Sequence, residues 1–173
     1  MTAPFNVRPR IAVLLALAFS GIVAQGQATT SSNNDSVSVT LTMQADQIQI
    51  GCKPWAVVTV YNISGQPVFL STFTYRVYVY GKDGEAPTML AQRQFTGRLR
   101  PGDAPLNYTP NVEPSTLLIW PTGGPADSVD RKFDLTYLYD LSAPGKYTAY
   151  AEVMDPSSHR WLRTKTVTFE MTQ

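Results

Sequence analysis

The sequence predicts an all-β protein, an antiparallel sandwich of two sheets with about seven or eight strands. Two observations lead to this prediction. Apolar and polar residues alternate with period two along several segments, and Gly, Pro, Asn or Asp residues mark turns between those segments. In addition, no segment sustains the apolar spacing of three and four residues that a long amphipathic helix requires.

The N-terminus is typical of a signal peptide. Arg8 and Arg10 precede an apolar run, residues 11–18, which is too short to span a bilayer. We expect cleavage after Gly26 or Ala28, of which Ala28 is preferred, and export to the periplasm or the cell exterior, with no membrane insertion of the mature chain. Residues 29–36 are small and polar, which predicts a flexible leader before a single domain of residues 37–173.

The charge of the chain argues against nucleic acid as a partner. The sequence has 14 basic residues and 13 acidic ones, and removal of residues 1–28 would take away only Arg8 and Arg10. The mature chain would then carry 12 basic residues against 13 acidic ones, so it would be nearly neutral. A strongly basic balance, which favours binding to nucleic acid or to an anionic membrane, is missing.

The first half of the domain contains four predicted strands. The first has Val37, Val39, Leu41 and Met43 on one face, and the second covers residues 55–62. A long third strand is predicted over residues 68–80, with Phe69, Phe73, Tyr75, Val77 and Val79 on one face. Residues 89–99 are predicted as the fourth strand.

The second half begins with a proline-rich connection, residues 101–132, which is predicted to contain one short strand at residues 117–120. Residues 133–139 alternate and are predicted as a strand. The Pro144-Gly145 turn leads into the next strand, which has Tyr147, Ala149, Ala151 and Val153 on one face. Residues 161–171 are predicted to close the sheet, with Val167, Phe169 and Met171 directed inward.

Several turns and strand starts resemble those of bacterial immunoglobulin-like domains. They are Asn62-Ile-Ser-Gly-Gln-Pro-Val68, Tyr75-Arg-Val-Tyr-Val79, Leu99-Arg-Pro-Gly102 and Leu141-Ser-Ala-Pro-Gly-Lys-Tyr147. Their order is also similar to the module of the intracellular proteinase inhibitor family from bacilli. The resemblance implies an immunoglobulin-like topology in which Tyr147 acts as the tyrosine-corner residue, whose hydroxyl bonds to upstream backbone. Ala149 stands where antibody-type domains carry their second cysteine.

The candidate binding site is a group of outward side chains. If Val77 and Val79 face the core, then Arg76, Tyr78 and Tyr80 point outward, and Tyr150 does so on the strand that an immunoglobulin-like topology places beside them. Tyrosines in such a patch suit stacking on sugar rings or anchoring of a partner protein. The alternative is that residues 101–132 cover this face, with Leu117, Ile119 and Trp120 packed on the tyrosines.

Other polar groups give weaker indications. Arg93, Arg98 and Arg100 suit an acidic ligand, or they guard an edge strand against aggregation. Asp127, Asp130 and Asp134 lack the spacing of a calcium loop, so no metal site is predicted. Cys52 is interpreted as a small buried hydrophobe, and His159 as a hairpin-tip residue distant from it, so no nucleophile pair is expected.

These observations predict a non-catalytic protein without a cofactor. No nucleophile elbow, paired metal-ligand histidines or phosphate-binding glycine loop is present in the sequence. The expected function is that of a binding or assembly module of the bacterial cell envelope, with an envelope protein or a glycan as partner. The alternative is a proteinase inhibitor that acts through the loop of residues 101–132.

Overall fold

The computed structural model describes residues 35–70, 75–106 and 117–173 of the chain. Far more residues in these ranges lie in strands than in helices, which confirms the all-β class. The strands are β1 (Val37–Met43), β2 (Gln47–Gln49), β3 (Trp55–Asn62), β4 (Val68–Leu70), β5 (Tyr75–Gly81), β6 (Gly84–Glu85), β7 (Leu117–Ile119), β8 (Ser128–Asp134), β9 (Gly145–Met154), β10 (Trp161–Arg163) and β11 (Val167–Thr172), and the helices are α1 (Leu90–Phe95) and α2 (Leu135–Leu138). The predicted signal peptide, residues 29–34 of the predicted leader, and Phe73 lie outside the described residues. Both of the described helices are far shorter than the roughly 20 residues of a membrane-spanning helix.

A three-stranded antiparallel sheet has the order β1-β3-β8. Val37, Val39, Leu41 and Met43 of β1 are buried, while the residues between them are partly exposed. The period-two prediction for this strand and for β3 is therefore confirmed. β8 continues the sheet, and its residues 128–132 were predicted to belong to the irregular connection.

A larger sheet has the order β2-β11-β9-β5-β6, and β10 also pairs with β9. All of its pairs are antiparallel except β2 with β11. The predicted inward residues of β9, Tyr147, Ala149, Ala151 and Val153, are all buried. The predicted closing strand is divided into β10 and β11, with Phe169 and Met171 buried as expected and Val167 only partly buried.

The two sheets share one hydrophobic core. β1 packs against β9, β10 and β11, and the core contains fully buried residues from both sheets, among them Val39, Val58, Val79, Ala151 and Phe169. Burial of each larger side chain of this kind contributes about 1.5 to 3 kcal/mol. The outer face of the larger sheet is thereby left for other contacts.

The predicted long strand of residues 68–80 is wrong as one element. β4 pairs with β7 in a separate two-stranded sheet, whereas β5 pairs with β9 in the larger sheet. The buried positions change accordingly: Val68 and Leu70 face inward in β4, so Phe69, which was predicted to face inward, is 61% exposed. Tyr75 packs against the core and is partly buried.

Helix α1 replaces the strand predicted over residues 89–99. The helix ends in a Schellman motif, because Gly97 adopts a positive φ of 69° and donates its N–H to the carbonyl of Gln94, while Arg98 donates to Arg93. Glycine adopts this backbone conformation at no steric cost because it has no Cβ. The sequence thus stops the helix after less than two turns.

Helix α1 covers an edge of β5. The side-chain amide of Gln92 donates to the carbonyl of Val77 at 2.9 Å and to the hydroxyl of Tyr139 at 2.7 Å. The Tyr139 hydroxyl lies 3.1 Å from the same carbonyl, and Ala86 donates its N–H to the carbonyl of Val79. Burial raises the pKa of Tyr139, so this hydroxyl remains a neutral donor.

The strand predicted over residues 133–139 is confirmed only for residues 133–134, which end β8, and is wrong for the rest. After Asp134 the chain turns into α2, because the Asp134 carboxylate accepts hydrogen bonds from the N–H and hydroxyl of Thr136 and caps the turn. Tyr137 is consequently 52% exposed, although Leu138 and Tyr139 are buried.

Two polar contacts fix the ends of β9. At its start, the hydroxyl of Tyr147 donates to the carbonyl of Ala143 at 2.9 Å. Just beyond its end, the buried carboxylate of Asp155 accepts hydrogen bonds from Ser36 and Val37 and from the turn at Ser157 and Ser158. Ser36, which was expected to be part of the flexible leader, is buried as a result.

Candidate functional site

The predicted tyrosines lie together on the outer face of the larger sheet. Val77 and Val79 of β5 are buried, and so are Ala149 and Ala151 of β9. The alternate residues on each strand therefore point away from the core. Tyr78 pairs directly with Tyr150 across the two strands.

The three rings form a stack, which we call the tyrosine stack (Tyr78, Tyr80 and Tyr150). The ring centroids of Tyr78 and Tyr150 are 4.9 Å apart with an interplanar angle of 25°, and those of Tyr80 and Tyr150 are 5.9 Å apart at 15°. Each ring is half-buried. Aromatic pairs of this kind contribute about 0.5 to 1.5 kcal/mol beyond the area that they bury.

Arg163 of β10 closes the stack on the other side of β9. Its guanidinium lies 4.0 Å from the ring centroid of Tyr150 and donates to the Tyr150 hydroxyl at 3.1 Å. The same guanidinium forms an ion pair with Glu152 at 3.0 Å. Since β5 and β10 flank β9 from opposite sides, both faces of the Tyr150 ring are covered.

Because both faces of the Tyr150 ring are covered, a ligand of this surface would meet hydroxyl groups and not the face of that ring. The hydroxyls of Tyr80 and Tyr150 are 3.5 Å apart. Burial, together with the hydrogen bond to Tyr80, raises the pKa of Tyr150, so its hydroxyl is neutral at physiological pH. A neutral hydroxyl both donates and accepts hydrogen bonds, which suits a ligand that is itself rich in hydroxyl or amide groups.

Arg76 extends the face along β5. Its guanidinium lies 3.9 Å above the ring centroid of Trp161, and its side chain is exposed. The sequence did not single out Trp161, Arg163 or Glu152 as site residues. The order Trp161-Leu162-Arg163 would have indicated that Trp161 and Arg163 lie on the outer face, because Leu162 packs against the core and neighbouring residues of a strand point to opposite sides.

The described part of residues 101–132 does not form the cover that was considered as an alternative. Ile119 is buried and pairs with Val68 in the β4–β7 sheet. Trp120 is 41% exposed, and its backbone N–H donates to the backbone carbonyl of Ala126. Residues 107–116 lie outside the described residues. Cover of the tyrosine stack by residues 107–116 stays a prediction.

The three predicted arginines surround a cavity of about 300 Å³ beside β6 and α1. Arg93 forms a two-pronged ion pair with Asp103 at 2.7 and 2.8 Å, and Arg98 forms one with Glu85 at 2.8 Å for both contacts. The hydrogen bonds from Arg93 and from the backbone of Arg100 lower the pKa of Asp103 to about 2. Because residues 89–99 are not a strand, the interpretation of these arginines as edge-strand guards is wrong.

The other polar and reactive groups that the sequence singled out lie in the β2–β3 and β9–β10 connections or on β8. Cys52 is exposed in the β2–β3 connection, so the prediction that it is buried is wrong. His159 lies at the β9–β10 turn with a positive φ of 54°. Asp134 pairs with Lys53, and Asp130 accepts from Thr59. Among the residues that the structure describes, no three His, Cys, Asp or Glu side chains converge as metal ligands would.

Comparison with known proteins gives little. No protein-family model matches the sequence, and no curated protein matches it. A similar solved structure is the β-glucosidase from Listeria innocua in complex with isofagomine, with 11% sequence identity and a TM-score of 0.40. The match covers 79% of this chain and 16% of that chain, so the chain spans less than a fifth of the enzyme's length. A likeness this distant has no bearing on function.

Proposed function

We propose that the protein is an exported, non-catalytic binding module of the bacterial cell envelope that holds a glycan or a protein on its tyrosine stack. The observation that carries this proposal is the arrangement of Tyr78, Tyr80 and Tyr150 on the outer face of the larger sheet, where the rings stack and the guanidinium of Arg163 lies over the Tyr150 ring. The contacts are made between regular strands, so the groups are positioned before a ligand arrives.

A glycan is the partner that this chemistry favours. Sugars present many hydroxyl groups, and the outer face of the stack offers hydroxyl, guanidinium and carboxylate groups within a few ångströms of one another. The guanidinium groups of Arg76 and Arg163 each lie over an aromatic ring. Because these contacts already restrict the two side chains, less conformational entropy is lost when a ligand binds. A protein partner would use the same residues as hydrogen-bonding anchors.

We also propose an immunoglobulin-like sandwich as the scaffold. The hydrogen bond from Tyr147 to Ala143 supports it, because the tyrosine-corner residue of such domains bonds to backbone a few residues upstream. The pairing of β5 with β9 supports it as well. The proposed export rests on the features of residues 1–28, namely the two arginines and the apolar run.

The test is binding of the purified protein to a glycan array and to envelope proteins, each measured for the wild type and for Tyr78→Ala. The matched control is Tyr61→Ala, because Tyr61 is an exposed strand tyrosine of the three-stranded sheet. We expect Tyr78→Ala to weaken binding about tenfold or more, and Tyr61→Ala to leave it unchanged.

The two arms distinguish the partners. Glycan binding that depends on Tyr78 supports the glycan module, and protein binding with the same dependence supports the protein module instead. Binding that tolerates Tyr78→Ala, Tyr150→Ala and Arg76→Ala in both arms would refute the tyrosine stack as the site.

The proteinase inhibitor remains the alternative proposal. Residues 117–119 and 128–132 of the expected inhibitory loop lie in strands β7 and β8, and Arg93 and Asp103 hold the start of the loop against α1. The residues left to enter a protease are 104–106, the turn 120–127, and residues 107–116, which lie outside the described residues. Inhibition of a secreted protease that is lost on deletion of residues 107–116 would favour this alternative.

A further inference from the structure

The cavity beside β6 differs from the tyrosine stack in its charge. It is lined by Glu85, Ala86, Pro87, Thr88, Arg93, Arg98 and Arg100. Its volume of about 300 Å³ is at the lower end of the range for small-molecule pockets, so it suits one sugar residue and not an oligosaccharide.

Two of the three arginines are already paired. Asp103 binds the guanidinium of Arg93, and Glu85 binds that of Arg98, each through two contacts. Arg93 also donates to the carbonyl of Thr88. These pairs fix the walls of the cavity and neutralise two of its charges.

Arg100 is the arginine that remains. Its backbone N–H donates to Asp103, and its charge also acts on that carboxylate, but in the described residues its guanidinium donates no hydrogen bond. The three arginines and the two carboxylates beside them leave one net positive charge. A planar guanidinium with unused donors matches a carboxylate through two parallel hydrogen bonds.

The cavity adjoins the tyrosine stack. Glu85, on its wall, pairs directly with Tyr80 across β5 and β6. A chain of sugars that lies along the hydroxyls of Tyr80 and Tyr150 can therefore place its next residue in the cavity. We propose that the cavity binds the carboxylate of a uronic acid residue, so that the glycan recognised by this face is acidic; this inference rests on the proposed glycan-binding function.

The experiment compares an acidic with a neutral oligosaccharide. Titration calorimetry would measure binding of hexagalacturonate and of cellohexaose to the wild type, Arg100→Ala and Arg100→Lys. Lys132→Ala is the matched control, since Lys132 is an exposed cation on β8 of the other sheet. Arg100 is exposed, so we expect every variant to fold, which circular dichroism would check.

We expect the wild type to bind hexagalacturonate more tightly than cellohexaose. Arg100→Ala should weaken hexagalacturonate binding about tenfold, which corresponds to loss of a charged hydrogen-bonded contact, and leave cellohexaose unaffected. Arg100→Lys should be intermediate, because lysine keeps the charge and loses the planar pair of donors. Wild-type affinity for hexagalacturonate in Arg100→Ala would overturn the proposal.

A second measurement separates this proposal from the function on which it rests. Galacturonate and galactose, as single sugars, would be titrated into the protein while the nitrogen-bound proton signals of Arg98 and Arg100 are followed by NMR. Shifts caused by galacturonate, absent with galactose and lost in Arg100→Ala, support the cavity even if no oligosaccharide binds to the tyrosine stack. No shift with galacturonate would overturn it, whatever the stack binds.

Discussion

The carboxylate of Asp155 accepts hydrogen bonds from Ser36, although the two residues are 119 positions apart in the chain. One oxygen of Asp155 accepts the N–H of Ser36 at 2.7 Å, its hydroxyl at 2.9 Å and the N–H of Val37 at 3.0 Å. The other oxygen accepts the N–H groups of Ser157 and Ser158. A single side chain thus joins the start of β1 to the turn between β9 and β10.

The first prediction concerns Asp155→Asn at neutral pH. The amide would turn its donors toward backbone N–H groups that need an acceptor, so we expect the free energy of unfolding to fall by about 3 kcal/mol. Urea denaturation would measure the loss, with Asp83→Asn at the exposed β5–β6 turn as control. Equal stability of Asp155→Asn and wild type would contradict the role assigned to the carboxylate.

The second prediction is the pH dependence of that difference. Burial opposes ionisation of Asp155, but hydrogen bonds from Ser158, Ser36 and Val37 outweigh it and lower the pKa below the usual value. Because the folded-state pKa is the lower one, the stabilisation is complete above about pH 4 and is lost as the pH falls through the folded pKa. The stability gap between wild type and Asp155→Asn should therefore narrow in acid, and a gap that widens would contradict this.

The third prediction separates the ring from the hydroxyl of Tyr150. Tyr150→Ala removes two ring contacts and the guanidinium contact of Arg163, and we expect a loss of about 2 kcal/mol in unfolding free energy. Tyr150→Phe keeps the ring and should cost about 1 kcal/mol or less. Chemical denaturation measures both, and Tyr137→Ala on α2, where the side chain is 52% exposed, should have little effect.

The fourth prediction tests the hydrogen bond between Tyr147 and Ala143. The hydroxyl bond is 2.9 Å long, and the ring stacks on Phe169 with centroids 5.6 Å apart. Tyr147→Phe should lower the stability by about 1 kcal/mol, because the carbonyl of Ala143 loses its donor while the packing remains. If thermal melts showed no difference from wild type, the hydroxyl would have no stabilising role.

The fifth prediction concerns Cys52. Since its side chain is exposed, a thiol reagent such as DTNB should modify one cysteine in the native protein without denaturant. Cys52→Ser should abolish the reaction and leave the melting temperature unchanged. Reaction only after addition of urea would contradict the exposed position.

Strands with one buried face were predictable from the sequence. In β1 and β9 every second residue is apolar, and burial follows that alternation. The expected pairing of β5 with β9 also predicted that the tyrosines lie together, because outward residues on paired strands are neighbours.

The two helices were missed for a physical reason. α1 has six residues and α2 has four, which is too short for a 3.6-residue apolar period to show. Their signals lay in the caps: Gly97 just after the end of α1 and Asp134 just before α2. The alternation of Phe133, Leu135 and Tyr137 is typical of a strand, but the hydrogen bonds that Asp134 accepts from Thr136 start a helix there.

The division of residues 68–80 could not be predicted from periodicity. Both β4 and β5 alternate with period two, and no Gly or Pro separates them. Which sheet each strand joins depends on partners far away in the chain, β7 for β4 and β9 for β5. The roles of Trp161 and Arg163 likewise depend on the pairing of β10 with β9.

The covered edge of β5 limits how this protein can associate with others. An incoming strand that extends a sheet needs unused backbone carbonyl and N–H groups, but Val77 and Val79 already give their carbonyls to Gln92 and Ala86. Polymerisation by strand exchange at that side would require α1 to detach first. In the described residues the strands with a partner on one side only are β1 and β8 of the smaller sheet, β2, β6 and β10 of the larger sheet, and β4 and β7, so a strand added from another molecule would have to pair with one of these.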